Sequence, residues 1–538
     1  MNETSECIED LLICNKFPPS NDVGGIVISK RALKEGKKID VVQNCIKGSL
    51  DNDFNEIIDE LVANRILIKN FEKGMSEKEL NETFNNYIKE GLEKIEKLNP
   101  NYKTITTLSW GYQPNFLALE YKLKHPQTKW TAEFSDPIIF DITNTRRDTT
   151  FLLDNGEYIQ KVNEEIDKIN EKLSKEKGLQ LERINEEDDI FFLCEYLAYA
   201  FADTVRFTNE NQREIMLSQF PYDIKDFVME KSEVSPYPTL DEKYYHLKEV
   251  DYEVEDDCIN IGYFGTYFGK RNFEAIYYAI ESLDDEIKNK IKLHLFTLNG
   301  ENLPTLTSNL SVSKNIVVNE KVPFLEFLNL CTKLDILLVN DTQTKGNFKI
   351  NPYRPSKIAD YTGSKKDIWG ICERSSVMNS LEEIKYKSYI DDFNSTKLAM
   401  DQIVNDYSYK LNLGNDLKND ERDENKEEID DYCLEIFNKK FDELEDEEVL
   451  ELINQNKFLI SRITYLNHLF NESTGRALFL SEARKLKKKN KKLSKENKKL
   501  KGKNKKLSNE NKKIKKELKY LKSIKGSLKY HGKKILKK

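Results

Sequence analysis

The sequence contains no apolar run of the ~18 residues that a membrane-spanning helix requires. Its first ten residues, MNETSECIED, are acidic and lack the basic segment and apolar core of a secretory signal. We therefore expect a cytoplasmic protein. With 538 residues, of which 38% are hydrophobic, the chain is long enough for two α/β domains with extensions.

Cysteine and histidine are scarce and scattered. The eight cysteines include no CxxC pair, and the five histidines are isolated from one another. This distribution predicts reduced thiols rather than a disulfide framework. Because no metal-ligand spacing is present, we expect neither a zinc nor an iron site and no bound cofactor.

Charge is segregated along the chain. Residues 482–538 contain 26 lysines and arginines against 4 glutamates, whereas the whole chain has a net charge of −8. Residues 416–448 alone hold 16 acids and 5 bases. An acidic body therefore carries a basic tail, and such a tail is attracted to anionic lipid, nucleic acid or an acidic protein face.

Apolar runs alternate with helical periodicity through most of the chain. Runs at 9–17 and 38–44 flank a glycine loop and a helix, and a second series begins near 258. This order predicts an α/β fold with two facing Rossmann-like domains. Further strands are expected at 64–69, 104–109, 128–134, 203–208, 291–298, 314–322 and 334–341, and helices at 76–97, 114–123, 156–174 and 188–201.

Composition also predicts where the domains end. Residues 235–257 combine prolines with charged residues, as linkers do. We predict an N-terminal Rossmann-like domain at 1–250, a second Rossmann-like domain at 251–405, an acidic helical region at 406–482, and a lysine-rich coiled coil with a basic tail at 483–538.

The tail has a heptad repeat. Leucine or isoleucine recurs every seven residues from Leu486 to Leu521, and asparagine occupies the other core position from Asn490 to Asn511. Glutamates at g and lysines at e favour a parallel homo-oligomer through 486–521. The alternative is a charged helix that stays partly unfolded as a monomer, since core asparagines weaken a coil and crowded lysines repel.

Two segments of the second half have the chemistry to bind a nucleoside diphosphate. A glycine-containing loop after the strand near 258 includes Gly265, Thr266, Lys270 and Arg271, so backbone and cations could approach a phosphate. In NPYRPSKIADY, Ser356 and Lys357 stand at a predicted helix start and Asp360 follows one turn later, within reach of a ribose. The alternatives are a basic surface loop and a capped helix with a surface Lys–Asp pair.

The first half contributes candidate residues for binding an acceptor, meaning a second ligand that would receive a transferred group. Gly24 and Gly25 precede a helix whose N-terminus could face phosphate or acceptor. Asp136 and Glu133 are candidates for acceptor binding or a catalytic base. Alternatively, Asp136 is a turn acid before Pro137 and Glu133 faces solvent.

Several segments together resemble retaining GT-B glycosyltransferases of archaeal and bacterial surface-polysaccharide clusters. GKRNFE, VNEKVPFLEFLNL, LDILLVND and NPYRPSKIADYTGSKKDIWG are similar to the donor domain of that family. FPPSNDVGGIVISKRALKEGKKIDVV, WTAEFSDP and ADTVRFTNENQREIM are similar to its N-terminal domain. The resemblance is collinear over about residues 9–375.

This resemblance implies a nucleotide-sugar donor of the UDP type. It implies that Lys270 and Lys357 contact the diphosphate and that Asp360, as the second acid of the E-x7-E pattern, binds the ribose. Two positions depart from the pattern: Pro352 replaces the first acid and Lys365 replaces a usual glycine. The first departure leaves the sugar contact of that acid unaccounted for.

We accordingly predict metal-independent, retaining transfer of a hexose-type unit to a cell-surface polysaccharide or glycolipid precursor, with peripheral contact of the basic coil to an anionic membrane. The main alternative is an inactive transferase-like scaffold that acts through its coil. Nucleic-acid binding is disfavoured because the tail lacks interleaved aromatic residues. Dinucleotide-dependent redox chemistry lacks a GxGxxG motif with a downstream acid.

Overall fold

A computed structural model describes residues 8–46, 50–69, 75–109, 111–147, 156–265, 273–298, 311–390 and 392–411. In these residues the first half forms a seven-stranded, entirely parallel sheet with the order β3-β2-β1-β4-β5-β6-β7. The strands are β1 (Asp10–Cys14), β2 (Ile39–Asn44), β3 (Val62–Ile68), β4 (Thr104–Ser109), β5 (Lys129–Phe134), β6 (Thr204–Phe207) and β7 (Ser232–Val234).

Helices cover both faces of this sheet. They are α1 (Val23–Glu35), α2 (Asn52–Asp59), α3 (Glu77–Leu98), α4 (Gln113–Lys124), α5 (Gly156–Glu176), α6 (Ile190–Phe201), α7 (Glu210–Leu217) and α8 (Tyr222–Lys231). Most start at a side chain that caps free backbone amides. Asp189 caps α6 and Asn209 caps α7, while Ser76 and Glu79 form a capping box at α3.

The second half forms a six-stranded parallel sheet with the order β10-β9-β8-β11-β12-β13. Its strands are β8 (Ile259–Phe264), β9 (Ile291–Thr297), β10 (Ile316–Glu320), β11 (Ile336–Asn340), β12 (Asp367–Cys372) and β13 (Tyr386–Tyr389). Its helices are α9 (Glu274–Glu281), α10 (Asp285–Lys288), α11 (Phe324–Lys333), α12 (Lys357–Gly363), α13 (Phe393–Asp406) and α14 (Ser408–Leu411).

Strand order reverses at one point in each sheet, between β1 and β4 and between β8 and β11. In open parallel sheets, helices leave on opposite faces at such a point, which opens a crevice at the carboxyl ends of the strands. The fold therefore prepares a binding crevice at one edge of each sheet. The prediction of two Rossmann-like α/β domains is confirmed.

The two halves share part of one hydrophobic core. Phe54 of α2 packs edge-on against Phe324 of α11, with ring centroids 4.7 Å apart. The buried carboxylate of Asp51 accepts the backbone N–H of Phe54 at 3.1 Å and that of Phe324 at 2.7 Å. One side chain therefore caps a helix in each half and fixes their relative position.

The predicted strands and helices correspond closely to observed elements, but several elements were missed. Strand β7 is short and polar, and β12 and β13 are short strands near the end of the second sheet. The predicted coiled coil, the basic tail and nearly all of the acidic helical region lie outside the described residues. No helix in the described part of the chain is long and apolar enough to cross a membrane.

Candidate functional site

The carboxyl edges of the two sheets meet at a cleft with two adjoining compartments. The first, here called the apolar compartment, has a volume of about 160 Å³ and lies mainly against the second sheet. The second, the polar compartment, measures about 330 Å³ and includes the end of β5. Val23, Val27 and Ser356 line both compartments, so they are continuous with each other.

Aromatic rings form one wall of the apolar compartment. Phe264 ends β8 and stacks on Phe296 of β9, with centroids 4.5 Å apart and an interplanar angle of 8°. Phe324 and Phe327 come from the first turns of α11 and complete the wall. Leu298 also lines this compartment and is 49% exposed. Such a wall suits a flat, weakly polar group such as a nucleobase.

Three lysines and one acid also line the apolar compartment: Lys30, Lys321, Lys357 and Asp360. Lys30 Nζ lies 2.7 Å from Asp360 Oδ1, and the two side chains are 1% and 6% exposed. Because Lys30 belongs to α1 and Asp360 to α12, this ion pair joins the two halves. Burial raises the pKa of Asp360, while Lys30 and Lys357 oppose that shift.

The second oxygen of Asp360 remains available. Within the described residues, no hydrogen bond reaches its Oδ2. Besides the Lys30–Asp360 pair, Lys321 and Lys357 also line the compartment and bring two further cationic side chains to it. Cationic side chains at this edge of the sheet suit an anionic group such as a diphosphate.

Helix α12 is held at the cleft by close packing. The hydroxyl of Tyr245 donates to the backbone oxygen of Asp360 at 2.6 Å. A Cβ at Gly363 would lie 2.0 Å from that hydroxyl oxygen, so only glycine permits the approach. Lys365, just beyond the helix, has a left-handed φ of 60°. This conformation favours glycine, and here a lysine adopts it.

The polar compartment brings together charged groups from both halves. Asp136 follows β5 and is exposed to the cleft, whereas Arg354 precedes α12 and is half-buried. The surrounding protein raises the pKa of Asp136 by desolvation, which Arg147 opposes. Tyr237 also lines this compartment and donates its hydroxyl to the backbone oxygen of Ser135 at 3.2 Å.

The loop that carries Asp136 is held in place by hydrogen bonds between its backbone and the side chains of Glu195 and Arg147. Glu195 Oε1 on α6 accepts the backbone N–H groups of Ile138 at 2.7 Å and Ile139 at 2.9 Å. Arg147 donates to the backbone oxygens of Pro137 and Ile138. Burial raises the pKa of Glu195 to about 7, even though these amides stabilise its charged form.

The loop that carries Arg354 is fixed by buried amides and acids. Asn351 Nδ2 donates to Glu373 Oε2 at 3.2 Å and lies 3.4 Å from Asp341 Oδ1. Burial raises the pKa of Asp341 to about 7. From the first half, Asn209 Nδ2 donates to the backbone oxygen of Pro352 at 3.0 Å. Both halves therefore hold this loop in place.

The structure places most of the predicted site residues around this cleft. Gly265, Ser356, Lys357 and Asp360 line the apolar compartment, and Gly24, Asp136 and Ser356 line the polar one. The surface-pair alternative for Asp360 is wrong, because this carboxylate is buried against Lys30. Thr266, Lys270 and Arg271 lie outside the described residues, so their predicted roles stay predictions.

The predicted phosphate role of Gly24 and Gly25 does not fit the structure. Asp22 Oδ1 accepts both backbone amides, at 3.1 Å and 3.4 Å, so a carboxylate already occupies the start of α1. A Cβ at Gly25 would lie 3.1 Å from the backbone oxygen of Lys16, which gives this glycine a packing role. The N-cap preference of aspartate before a helix was the signal in the sequence.

Glu133 is neither a cleft residue nor a solvent-facing one. It is fully buried in β5, and its oxygens accept Arg31 Nε at 2.7 Å and Arg206 Nη1 at 3.1 Å. Two guanidinium groups stabilise the charged carboxylate and remove it from contact with any substrate in the cleft. The predicted base role is therefore not supported for Glu133.

Lys30, Lys321 and Arg354 are cleft residues that the sequence did not single out. Lys30 interrupts the apolar face of α1, and a lysine at such a position indicates a buried partner. Arg354 lies inside the NPYRPSK segment, but only the fold shows that it faces the first half. Nothing in the local sequence of Lys321 points to the cleft.

One cluster of possible metal ligands occurs in the part of the chain that the structure describes. Glu255, Asp257 and Cys258 bring their ligand atoms within 4.8 Å of one another, at the amino end of β8 and on the opposite edge from the cleft. Glu255 lies 2.8 Å from Lys292, and Asp257 also pairs with a lysine. These ion pairs account for the acids without a metal.

Comparisons with known proteins give no sequence match and weak similarity to solved structures. No protein-family model matches the chain, and no curated protein is similar to it in sequence. Among solved structures, Anabaena Alr3699/HepE in complex with UDP has 10% identity and a TM-score of 0.45, covering 75% of this chain and 92% of that chain.

A glycosyltransferase from Rickettsia africae ESF-5 has 11% identity and a TM-score of 0.43, with 90% of this chain and 98% of that chain covered. A UDP-N-acetylglucosamine 2-epimerase has 10% identity and a TM-score of 0.43, with 76% and 90% covered. Similarity of this degree assigns no activity to the present chain.

Proposed function

We propose that the protein transfers a sugar from a nucleoside-diphosphate sugar, of the UDP type, to a hydroxyl group of a cell-surface polysaccharide or glycolipid precursor. One observation carries this proposal. An aromatic-walled compartment with three lysines and one acid lies at the carboxyl edge of the second sheet and is continuous with a polar compartment from the first sheet. This is the arrangement that a nucleotide and a facing acceptor require.

The apolar compartment would hold the nucleotide. The base would lie against Phe264 and its neighbours, and Asp360 Oδ2 would accept a ribose hydroxyl. Lys357 and Lys321 would pair with the diphosphate, with Ser356 beside it. Lys30 would add positive potential while it neutralises Asp360. Negative charge grows on the diphosphate as the glycosidic bond breaks, so these fixed cations would stabilise the transition state without a metal.

The polar compartment would hold the transferred sugar and the acceptor hydroxyl. In the retaining course that we propose, the acceptor oxygen bonds to the anomeric carbon on the face that the diphosphate leaves. The anomeric carbon–oxygen bond to the diphosphate breaks, and the acceptor proton passes to a phosphate oxygen. Asp136 would orient the acceptor by accepting a hydrogen bond from a hydroxyl, and no strong protein base is needed.

An inactive scaffold is the second candidate, because one observation favours it. Pro352 stands where the resembled family has its first acid, and its backbone oxygen is already bonded to Asn209. No carboxylate is therefore supplied at that position to contact a donor sugar. In this case the protein would act through its basic tail, and nucleotide-sugar turnover would be absent.

The proposal is tested with the full chain in two steps. A thermal-shift panel of nucleoside diphosphates should show stabilisation by UDP, which Lys357→Ala abolishes and the exposed control Lys365→Ala retains. Release of UDP from UDP-sugars is then measured with the polysaccharide or glycolipid fraction of the source organism. Binding without turnover would favour the scaffold, whereas no stabilisation by any nucleotide would refute the proposed sugar transfer.

The predicted oligomer is tested separately. Sedimentation of the full chain should show a self-associated species, and replacing Leu493 and Leu500 by glutamate should convert it to a monomer. Flotation with anionic vesicles tests the predicted membrane contact, which should weaken as salt is raised. A monomer at high micromolar concentration would contradict self-association through the heptads.

A further inference from the structure

The polar compartment contains two charged groups that do not satisfy each other. Asp136 belongs to the first half and Arg354 to the second, and both line the compartment. Among the residues that the structure describes, neither side chain forms a hydrogen bond or a salt bridge. A guanidinium that lines an open compartment without a protein partner keeps its N–H donors available, so it can pair with an acceptor that a ligand supplies.

Among the described residues, no neighbouring group forms an ion pair that neutralises Arg354. Burial lowers its pKa, and Glu383 and Tyr237 oppose that shift without forming an ion pair with it. The guanidinium remains charged because its ordinary pKa is far above neutral. Arg354 therefore presents a net positive charge to the compartment.

The other acid of the compartment is already neutralised. Asp22 lies 3.2 Å from Lys16 Nζ and caps the amides of Gly24 and Gly25 at the positive end of α1. Asp136 and Arg354 consequently present opposite charges to the same compartment. Its volume of about 330 Å³ has room for a monosaccharide unit.

We propose that this compartment binds a carbohydrate that carries an anionic substituent, either a carboxylate or a phosphate monoester, and that Arg354 pairs with it. This inference rests on the proposed function, in which the compartment receives the transferred sugar and the acceptor. The planar fork of arginine matches carboxylate and phosphate oxygens with two parallel hydrogen bonds. Asp136 accepts hydroxyl groups of the same sugar, and its negative charge disfavours contact with the anionic substituent itself.

The anionic group has two possible sources, the donor sugar or the acceptor. Matched pairs of ligands distinguish them by isothermal titration of the full chain. UDP-glucuronate and UDP-glucose differ only at C6 and test the donor. Methyl glucuronide and methyl glucoside 6-phosphate are compared with methyl glucoside, in the presence of UDP, to test the acceptor. Each titration is repeated with Arg354→Gln, Arg354→Lys and the exposed control Arg183→Gln.

The expected result is a preference of about tenfold or more for the anionic member of at least one matched pair. Arg354→Gln should remove the preference, Arg354→Lys should retain part of it, and Arg183→Gln should leave it unchanged. The affinity for UDP alone should be the same in all variants. A donor preference identifies an acidic donor sugar, and an acceptor preference identifies an acidic acceptor.

Two outcomes would overturn the inference and leave the proposed function intact. Equal affinities within every pair would show that no anionic substituent is recognised. Equal weakening of UDP and both UDP-sugars in Arg354→Gln would show that Arg354 binds the diphosphate. Failure of the wild-type chain to bind UDP would refute the proposed function instead. Free glucuronate and glucose are titrated as well, so the preference for an anionic sugar is measured even if the chain does not bind UDP.

Discussion

Replacement of Lys30 or Asp360 singly should strongly destabilise the protein. Their charged atoms are 2.7 Å apart and their side chains are 1% and 6% exposed, so this is a buried ion pair and not a surface one. Removing one partner leaves an uncompensated charge in the interior, which costs about 3–5 kcal/mol. We expect Lys30→Met and Asp360→Leu each to lower the free energy of unfolding by this amount.

The double variant Lys30→Met/Asp360→Leu should behave differently. Burial already raises the pKa of Asp360 in spite of Lys30, which indicates that the charged pair carries a desolvation cost. Apolar side chains of similar size avoid that cost, so the double variant should unfold within about 1–2 kcal/mol of the wild type. It should nevertheless lose stabilisation by UDP, because Asp360 Oδ2 is absent.

Denaturant unfolding of the four proteins, with and without UDP, measures both effects. The two single losses should sum to several kcal/mol more than the loss in the double variant. Additive losses would refute the idea that the pair is buried and coupled. A double variant that still responds to UDP like the wild type would show that Asp360 does not contact the nucleotide.

Three further predictions concern the parts that support the cleft. Asp51→Ala removes the cap of one helix in each half, so it should lower the free energy of unfolding by about 2–3 kcal/mol. A loss of less than about 1 kcal/mol, measured by denaturant titration, would contradict the idea that Asp51 caps both helices. Glu195 has a folded pKa of about 7 against an ordinary 4.5, so the stability from its protonated form is present below about pH 4.5 and is lost as pH rises through 7. Glu195→Gln should therefore stabilise the protein by on the order of 3 kcal/mol at pH 8.5 and by little at pH 4.5, and an equal effect at both pH values would refute the shift. Gly25→Ala places a Cβ 3.1 Å from the backbone oxygen of Lys16 and should cost about 1 kcal/mol or more; an unchanged unfolding midpoint would show that this contact relaxes freely.

Sequence patterns were sufficient for the elements that are buried and long. The apolar runs that became β2 and β9 are recognisable because parallel strands are covered on both faces. Strand β7 was missed because its three residues, Ser232 to Val234, lie at a sheet edge and carry no apolar pattern. An edge strand of this kind adopts its extended conformation because it pairs with a neighbouring strand, and the local sequence does not reveal that pairing.

The site residues were predictable only where they lie close together in the sequence. Ser356, Lys357 and Asp360 share one short segment, so their spacing alone suggested a common function. Lys30 lies 330 positions from Asp360, and no local pattern relates them. Local sequence did not reveal the role of Glu133 either, because its partners Arg31 and Arg206 come from distant elements. Their ion pairs show that Glu133 is a buried structural charge and not a candidate base.

The location of nucleotide binding is the most direct test of this account. Hydrogen–deuterium exchange of the full chain should be compared with and without UDP. We predict increased protection in the first turns of α11, Phe324–Lys333, and in α12, Lys357–Gly363, with little change at the outer strand β3. Protection that falls elsewhere while these helices exchange unchanged would contradict a nucleotide site in the apolar compartment.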